Sequence, residues 1–317
     1  MVESRKRLHI AVGVILDQAT DKVLVARRPE HIHLGGLLEF PGGKLNPGEQ
    51  VLDALNRELH EELDINVTRA KPLIQIKHDY ADETVMLDTW LVMDWQGVPK
   101  GVEGQEIMWI RKRSLAKSEF PAANRPIITA INLPPVYGIT PDLPDYGEEF
   151  FARLASKLES GLKLIQFRSK GLDDQSRYRI LKKMFKMCGD YDCRVLINGL
   201  SGIEMVEYAH GIHLTSSDLL SLDARPVGDN FLIGASCHNR IELDHACNTG
   251  VDFVVLSPVE QTPGHEHAKP MGWNGFSELV LDCNVPVYAL GGMKMSDLDC
   301  AQSCGGQGVA MIRGLWG

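Results

Sequence analysis

The sequence predicts two folded units of different class. A mixed α+β unit occupies residues 1–132, and an α/β unit over 133–317 closes as a (β/α)8 barrel that lacks a normal last helix. Three observations predict this. The chain has 317 residues, more than one domain usually holds. Its first part mixes strand-like alternation with one long amphipathic helical pattern. Its second part alternates eight short apolar runs with helical patterns, and parallel strands buried on both faces read as such runs.

In the first unit, residues 8–15 (LHIAVGVI) and 22–26 (KVLVA) read as strands joined by a polar turn. Asn46-Pro47-Gly48-Glu49 is a turn that leads into a helix over 49–63, whose apolar face is Leu52, Leu55, Leu59 and Leu63. Strands follow at 72–78, 84–94 and 107–110, and a short helix at 123–132. The boundary falls at Leu133–Pro135, where two prolines stiffen the chain. The eight runs of the second unit are 136–140, 162–168, 194–198, 211–214, 231–236, 253–259, 285–290 and 308–312. Eight βα repeats are the number that closes a barrel of this type. The chain runs only five residues past the last of them, so the eighth helix is expected to be missing or replaced.

Composition is that of a globular protein, 44% hydrophobic and 24% charged. A net charge of −9 argues against a polymeric nucleic acid as partner but leaves room for a nucleotide met by metal ions. No apolar run approaches a membrane span, and the basic-then-apolar start reads as a first strand rather than a signal peptide. The cysteines are Cys188, Cys193, Cys237, Cys247, Cys283, Cys300 and Cys304; the count is odd and all lie in the second unit. That fits a reduced, cytoplasmic location. One C-x4-C and one C-x3-C occur without a matching His pair, so buried thiols are expected rather than zinc.

The stretch LEFPGGKLNPGEQVLDALNRELHEELDI, residues 38–65, carries seven carboxylates, six of them behind a glycine pair. Glu58, Glu61 and Glu62 fall within an arc of about 100° of one helix. Like charges at that spacing repel. A divalent cation relieves the repulsion, since Mg²⁺ takes carboxylate and phosphate oxygens together. The glycines allow backbone to approach something closely. Metal-assisted chemistry on a phosphate compound follows.

These residues match the pattern G-x5-E-x7-R-E-U-x-E-E-x-G-U, here Gly43, Glu49, Arg57, Glu58, Leu59, Glu61, Glu62 and Ile65, with Asp64 where the pattern has glycine. The unit thus resembles the Nudix hydrolases. Together with VARRPEHIHLGGLLEFPGGKL, GVEGQE and FPAANRPII it resembles their MutT branch over about residues 8–132. The resemblance implies a Nudix fold, hydrolysis of 8-oxo-dGTP to the monophosphate and pyrophosphate, and Mg²⁺ (or Mn²⁺). It implies Glu58 as general base held by Arg57. It implies metal binding by the Gly42 carbonyl, Glu58, Glu61, Glu62 and Glu103, with Lys44 near the phosphates. Arg28 and Phe40 would line the base pocket, and Asn124 would read the purine edge, because an amide both donates and accepts. Asp64 is expected to serve as a modified helix C-cap.

In the second unit IQFRSK sets Gln166, Arg168 and Lys170 at alternate positions at and beyond a strand end, facing the mouth where barrel active sites lie. With LING, GIHLTSSD, GAS, LSPVEQT and ALGGM in order, residues 135–314 resemble thiamine phosphate synthase and the related TenI-type thiazole tautomerases, both on a TIM barrel. The resemblance implies phosphate or diphosphate binding by Gln166, Arg168, Lys170 and Asn198, and metal binding by Asp218. The synthase's second carboxylate is Gly199 here, its loop lysine is His265, and a serine near the last phosphate turn is Arg313. Diphosphate release needs its charge neutralised, so full synthase activity is not expected. The tautomerase resemblance implies His238, in GASCHN, as the residue that moves protons. HEH at 265–267 is expected to be a loop rather than a metal site. Expected ligands are a nucleoside triphosphate and a thiazole or thiamine phosphate. The alternative is that the first unit clears damaged thiamine diphosphates while the barrel acts as tautomerase or non-catalytic ligand sensor.

Overall fold

The computed structural model describes residues 6–31, 34–79, 83–261 and 269–317. The chain divides into two compact units, Met1–Asn132 and Leu133–Gly317. No helix among the described residues is long and apolar enough to cross a membrane.

The first unit runs β1 (Lys6–Asp17), β2 (Lys22–Arg27), β3 (Leu38–Glu39), β4 (Gly42–Lys44), α1 (Val51–Leu63), β5 (Asn66–Asp79), β6 (Glu83–Gln96), β7 (Ile107–Arg111) and α2 (Arg125–Asn132). The strands form one sheet in the order β3-β2-β1-β6-β5, with β4 also on β1 and β7 on β2. Only β1 and β6 run parallel. Side chains alternate across the sheet. Ala11, Ile15, Leu24 and Val92 pack with Ala54, Leu55, Leu59 and Leu63 of α1. Val12, Val14, Val23, Val25 and Ile76 pack with Ile127, Ile128 and Ile131 of α2. A Cβ on Gly13 would lie 2.9 Å from Leu59, so glycine lets α1 settle close on β1. Leu52 departs from expectation and stands 47% exposed. Helical Cα–Cβ bonds tilt toward the N-terminus, so a first-turn side chain points past the start of the helix. Strand β6 falls close to the expected 84–94, whereas β5 begins six residues before the expected 72. Bulges near Arg69 and Pro72 break the alternation that sequence reading depends on.

The second unit is a closed parallel barrel. It runs β8 (Val136–Ile139), α3 (Glu148–Glu159), β9 (Leu164–Phe167), α4 (Asp174–Asp190), β10 (Arg194–Asn198), β11 (Gly211–Leu214), α5 (Ser216–Leu220), β12 (Leu232–Cys237), α6 (Arg240–Thr249), β13 (Phe253–Leu256), α7 (Gly272–Val280), β14 (Val287–Ala289), α8 (Leu298–Ser303), β15 (Gly308–Met311) and α9 (Arg313–Trp316). Tyr137, Leu164, Leu196, Phe253, Tyr288 and Ala310 fill the interior. A 3₁₀ helix, Leu200–Tyr208, stands where an α-helix would follow β10. The eighth helix is the single turn α9, whose buried Trp316 donates from Nε1 to the Ile139 carbonyl at 2.7 Å. At the opposite end of the strands Leu133, Pro134 and Pro135 form part of the barrel. Their carbonyls accept from Gln307 Nε2 (2.9 Å), the Tyr288 hydroxyl (2.5 Å) and the Val309 amide (3.0 Å).

Candidate functional site

Arg57 organises the acidic helix. Its guanidinium donates from Nε and Nη2 to the two oxygens of Glu49 (both 2.9 Å), from Nη1 to Glu58 Oε1 (2.7 Å), and from Nη2 to the Lys44 carbonyl (3.0 Å). Glu61 completes the cluster at 3.3 Å. A planar fork suits such paired contacts. The Arg57 bonds, with the Asn46 amide, hold Glu49 down to about 2. The turn before the helix closes through Asn46 N to Glu49 Oε2 (2.7 Å). At the far end Asp64 caps the helix in the left-handed conformation, φ 58° and ψ 39°, and pairs with Lys100.

The glycines have separate tasks. A Cβ on Gly43 would meet the Glu58 carboxylate at 2.2 Å, and one on Gly42, φ +144°, would meet the Ala11 carbonyl at 2.1 Å. Only bare backbone fits between β1 and the acidic helix. Gly42 N–H donates to Glu62 Oε2 (3.1 Å). Burial first, then the carboxylates of Glu39, Glu58 and Glu103, together push Glu62 up to about 7 against that bond. The loop that carries Glu103 is tied to the end of α1, because Val102 N and Gln105 Nε2 both donate to the Glu62 carbonyl (3.0 Å each).

A half-buried carboxylate with three others near it lacks positive charge, and that donor set fits a divalent cation. Among the described residues no three candidate ligands already converge as a metal cage; Arg57 and the Gly42 amide hold the carboxylates instead. Such a site would be completed by water and phosphate oxygens, as is usual for Mg²⁺. Glu39 was not anticipated. It sits on a two-residue strand opposite buried Leu38, and burial raises its pKa although Arg28 is ion-paired with it. Period-two alternation from Leu38 was the available signal.

Of the expected base-pocket residues, Arg28 is engaged by Glu39. Phe40 is 4% exposed and stacks on Phe120 at 5.2 Å, so it forms a buried floor rather than an open wall. Asn124 is half-buried, and among the described residues its side-chain amide has no partner. Lys44 is exposed.

At the barrel mouth Gln166 is buried and donates from Nε2 to Asn198 Oδ1 (2.8 Å). Arg168 is half-buried, and its backbone is fixed by Thr140 and Tyr146. Lys170 is exposed, with its N–H on Asp142. Asp218 has a structural task. Its Oδ2 accepts from the Thr215 hydroxyl (2.8 Å), the Thr215 amide (3.2 Å) and the Leu200 amide (3.3 Å), closing the capping box of α5. Gly199 is not merely short of a carboxylate. Its φ of 78° and ψ of 162° belong to a region that only glycine occupies readily. A Cβ there would lie 3.3 Å from Asp218 Oδ2.

His238 lies exposed just past β12. Its backbone N–H is held by Glu242 (2.8 Å), and Nδ1 lies 2.8 Å from the Ser257 carbonyl. A carbonyl only accepts, so Nδ1 carries the proton and Nε2 is the basic nitrogen. Sequence reading missed His213, which bridges the Tyr137 hydroxyl (3.1 Å) and Ser236 (3.0 Å) inside the barrel. Burial pushes it down to about 3. Residues 262–268, with His265 and the HEH segment, lie outside the described residues.

The first unit therefore carries a carboxylate-and-glycine cluster on α1, of the kind hydrolases use, and the second a polar, partly cationic barrel mouth. The profile of the NUDIX domain matches residues 11–130, and that of the thiamine monophosphate synthase family matches residues 136–315. The chain belongs to the thiamine monophosphate synthase family through its barrel and to the Nudix hydrolases through its first unit. A putative thiamine-phosphate synthase 2 of Aquifex aeolicus is 33% identical over 57% of this chain and 97% of that protein. An 8-oxo-dGTP diphosphatase of Escherichia coli is 36% identical over 40% of this chain and 97% of that protein. Another 8-oxo-dGTP diphosphatase, from Proteus vulgaris, is 46% identical over 29% of this chain and 81% of that protein.

Proposed function

We propose that the first unit hydrolyses purine nucleoside triphosphates, 8-oxo-dGTP to 8-oxo-dGMP and pyrophosphate, with Mg²⁺ or Mn²⁺. The observation that carries this is the Arg57 hub on α1 together with half-buried Glu62 on the same helix. The Gly42 carbonyl, Glu58, Glu61, Glu62 and Glu103 would hold the cation. Bound there, it would neutralise phosphate charge and lower the pKa of water. Arg57 grips Glu58 by Oε1, which leaves Oε2 to accept a proton from the attacking water. Lys44 is placed to meet phosphate charge. Asn124 offers an unpartnered amide to a purine edge, over the floor made by Phe40 and Phe120. The activity named for the E. coli relative supports the choice of substrate. The test is turnover of 8-oxo-dGTP and dGTP by the full chain and by Glu58→Gln. A variant retaining more than about a third of wild-type kcat would remove Glu58 as the base, since general bases supply on the order of 10²–10⁴ in rate.

For the barrel we infer binding of a thiazole phosphate without thiamine phosphate synthesis. The backbone of Gly199 favours this reading, because it disfavours the second carboxylate on conformational grounds. Arg168 and Lys170 supply cationic charge for a single phosphate, and His238 Nε2 is available to move a proton. Titration of the full chain with thiazole phosphate, compared with Arg168→Ala, tests the binding. Equal affinity in the two proteins would take the phosphate away from Arg168.

A further inference from the structure

Six of the seven cysteines lie in three mutually interacting pairs on the barrel, and one pair differs from the others. Cys188 and Cys193 are both buried, and the Cys188 thiol together with burial raises Cys193. Cys300 and Cys304 lie four residues apart at α8, and burial, then Cys300, raises Cys304. Cys247 and Cys283 come from separate elements, α6 and the turn after α7, with sulfurs 4.0 Å apart. Cys247 is half-buried and Cys283 buried.

The surroundings divide the labour between these two. The two thiols are in hydrogen-bond contact, which either can donate, and that contact, with the Asn284 amide, holds the more exposed Cys247 thiol below the usual range. Burial and, less strongly, Asp244 oppose this, and Arg240 lowers it further. Cys283, the deeper of the two, is raised by its contact with Cys247 and by burial. The elements are already clamped beside the sulfurs, since Arg240 Nη2 donates to the Glu278 carbonyl (3.1 Å) and lies 3.6 Å from Asp282. A disulfide needs a separation of about 2.0 Å, so the two sulfurs must close from their 4.0 Å contact.

We propose that Cys247 and Cys283 are a peroxide-oxidised dithiol, with Cys247 as the attacking and Cys283 as the resolving sulfur. Cys247 thiolate attacks a hydroperoxide; its S–O bond forms as the O–O bond breaks, and the departing oxygen leaves as an alcohol or water. The sulfur of Cys283 then attacks Cys247–SOH. The S–S bond forms, the S–O bond breaks, and the hydroxide leaves as water with the Cys283 proton. Two electrons pass from the thiol pair to one peroxide, and a general thiol reductant reverses the change. The product ties α6 to the segment entering β14 on the outer side of the barrel.

The test treats the full-length reduced protein with a few equivalents of hydrogen peroxide, blocks remaining thiols, and maps the peptides without reduction. The expected first product is a Cys247–Cys283 cross-link that dithiothreitol removes. In Cys283→Ser the oxidation should halt at a Cys247 sulfenic acid that dimedone captures. Cys247 should also be alkylated at least about tenfold faster than Cys193, as thiolate content dictates. A first cross-link through Cys237 or between Cys300 and Cys304 would overturn the assignment. So would wild-type Cys247 that stays reduced while Cys300 oxidises.

Discussion

The acidic helix and the barrel mouth keep their chemistry in different ways. In the first unit Arg57 joins Glu49, Glu58, Glu61 and the Lys44 carbonyl in one knot, all between Lys44 and Glu61. Loss of one member disturbs all the rest. At the barrel mouth the residues come from separate strand ends, each with its own local supports. Gln166 rests on Asn198, Asp218 caps α5, and Arg168 hangs from Thr140. A site assembled that way can lose one member and keep its fold. Gly199 and His265, at positions where the synthase resemblance calls for a carboxylate and a lysine, show such a loss.

The largest expected effect tests whether the two regions are independent. Glu58→Gln should lower kcat for 8-oxo-dGTP by about 10²–10⁴. Thiazole phosphate binding by the same variant, followed by calorimetry, should be unchanged. A parallel loss of binding would mean that the two regions share more than a chain. Next comes repair of the barrel. Gly199→Asp should yield no thiamine phosphate synthesis above background. It should also lower stability by about 1–3 kcal/mol, because a side chain is forced into a glycine conformation beside Asp218. Measured synthesis with an unchanged melting temperature would show that only the carboxylate was missing.

Smaller effects sharpen the contrast. Asn124→Ala should reduce the 8-oxo-dGTP over dGTP preference about tenfold, as expected for a buried polar contact to the base edge worth roughly 1–3 kcal/mol. A constant ratio of kcat/KM values would remove Asn124 from the pocket. Arg168→Ala should raise the Kd for thiazole phosphate by a similar factor, the loss of one charge-assisted hydrogen bond. The last effect is a slope. His213 is neutral in the fold, with its pKa lowered from 6.5 to about 3. Above 6.5 its contribution is fully present. As pH falls from 6.5 toward 3 the unfolded chain binds a proton that the fold refuses, so stability drops by up to about 1.4 kcal/mol per pH unit. His213→Asn should flatten denaturant midpoints against pH over that window by about one proton. An unchanged slope would mean that His213 is protonated in place.

What the sequence disclosed follows the same division. The knot on α1 was legible because its members recur at helical spacing in one short run. Asp64 as a left-handed cap was legible because it stands at the helix end. Glu39 was hidden on a strand of two residues, and Leu52 was assigned to the buried face because periodicity ignores the tilt of the first turn. The onset of β5 at Asn66 was lost to bulges among polar residues. In the barrel the eight strands were plain from their apolar runs. The partners of His213 were not, because Tyr137 lies 76 residues before it and Ser236 23 after it. The Cys247 and Cys283 contact spans 36 residues and follows no local pattern.

The three residues that begin the barrel bear on how this chain can be cut or rebuilt. Leu133 is 5% exposed, and the carbonyls of Leu133, Pro134 and Pro135 each accept a hydrogen bond from deep within the barrel. By sequence they read as a spacer, yet physically they are the first course of the barrel wall. A barrel expressed alone from residue 136 would take away the acceptors of the Tyr288 hydroxyl and the Val309 N–H. The seam at which a flexible insert can be spliced therefore lies before Leu133, not among the prolines.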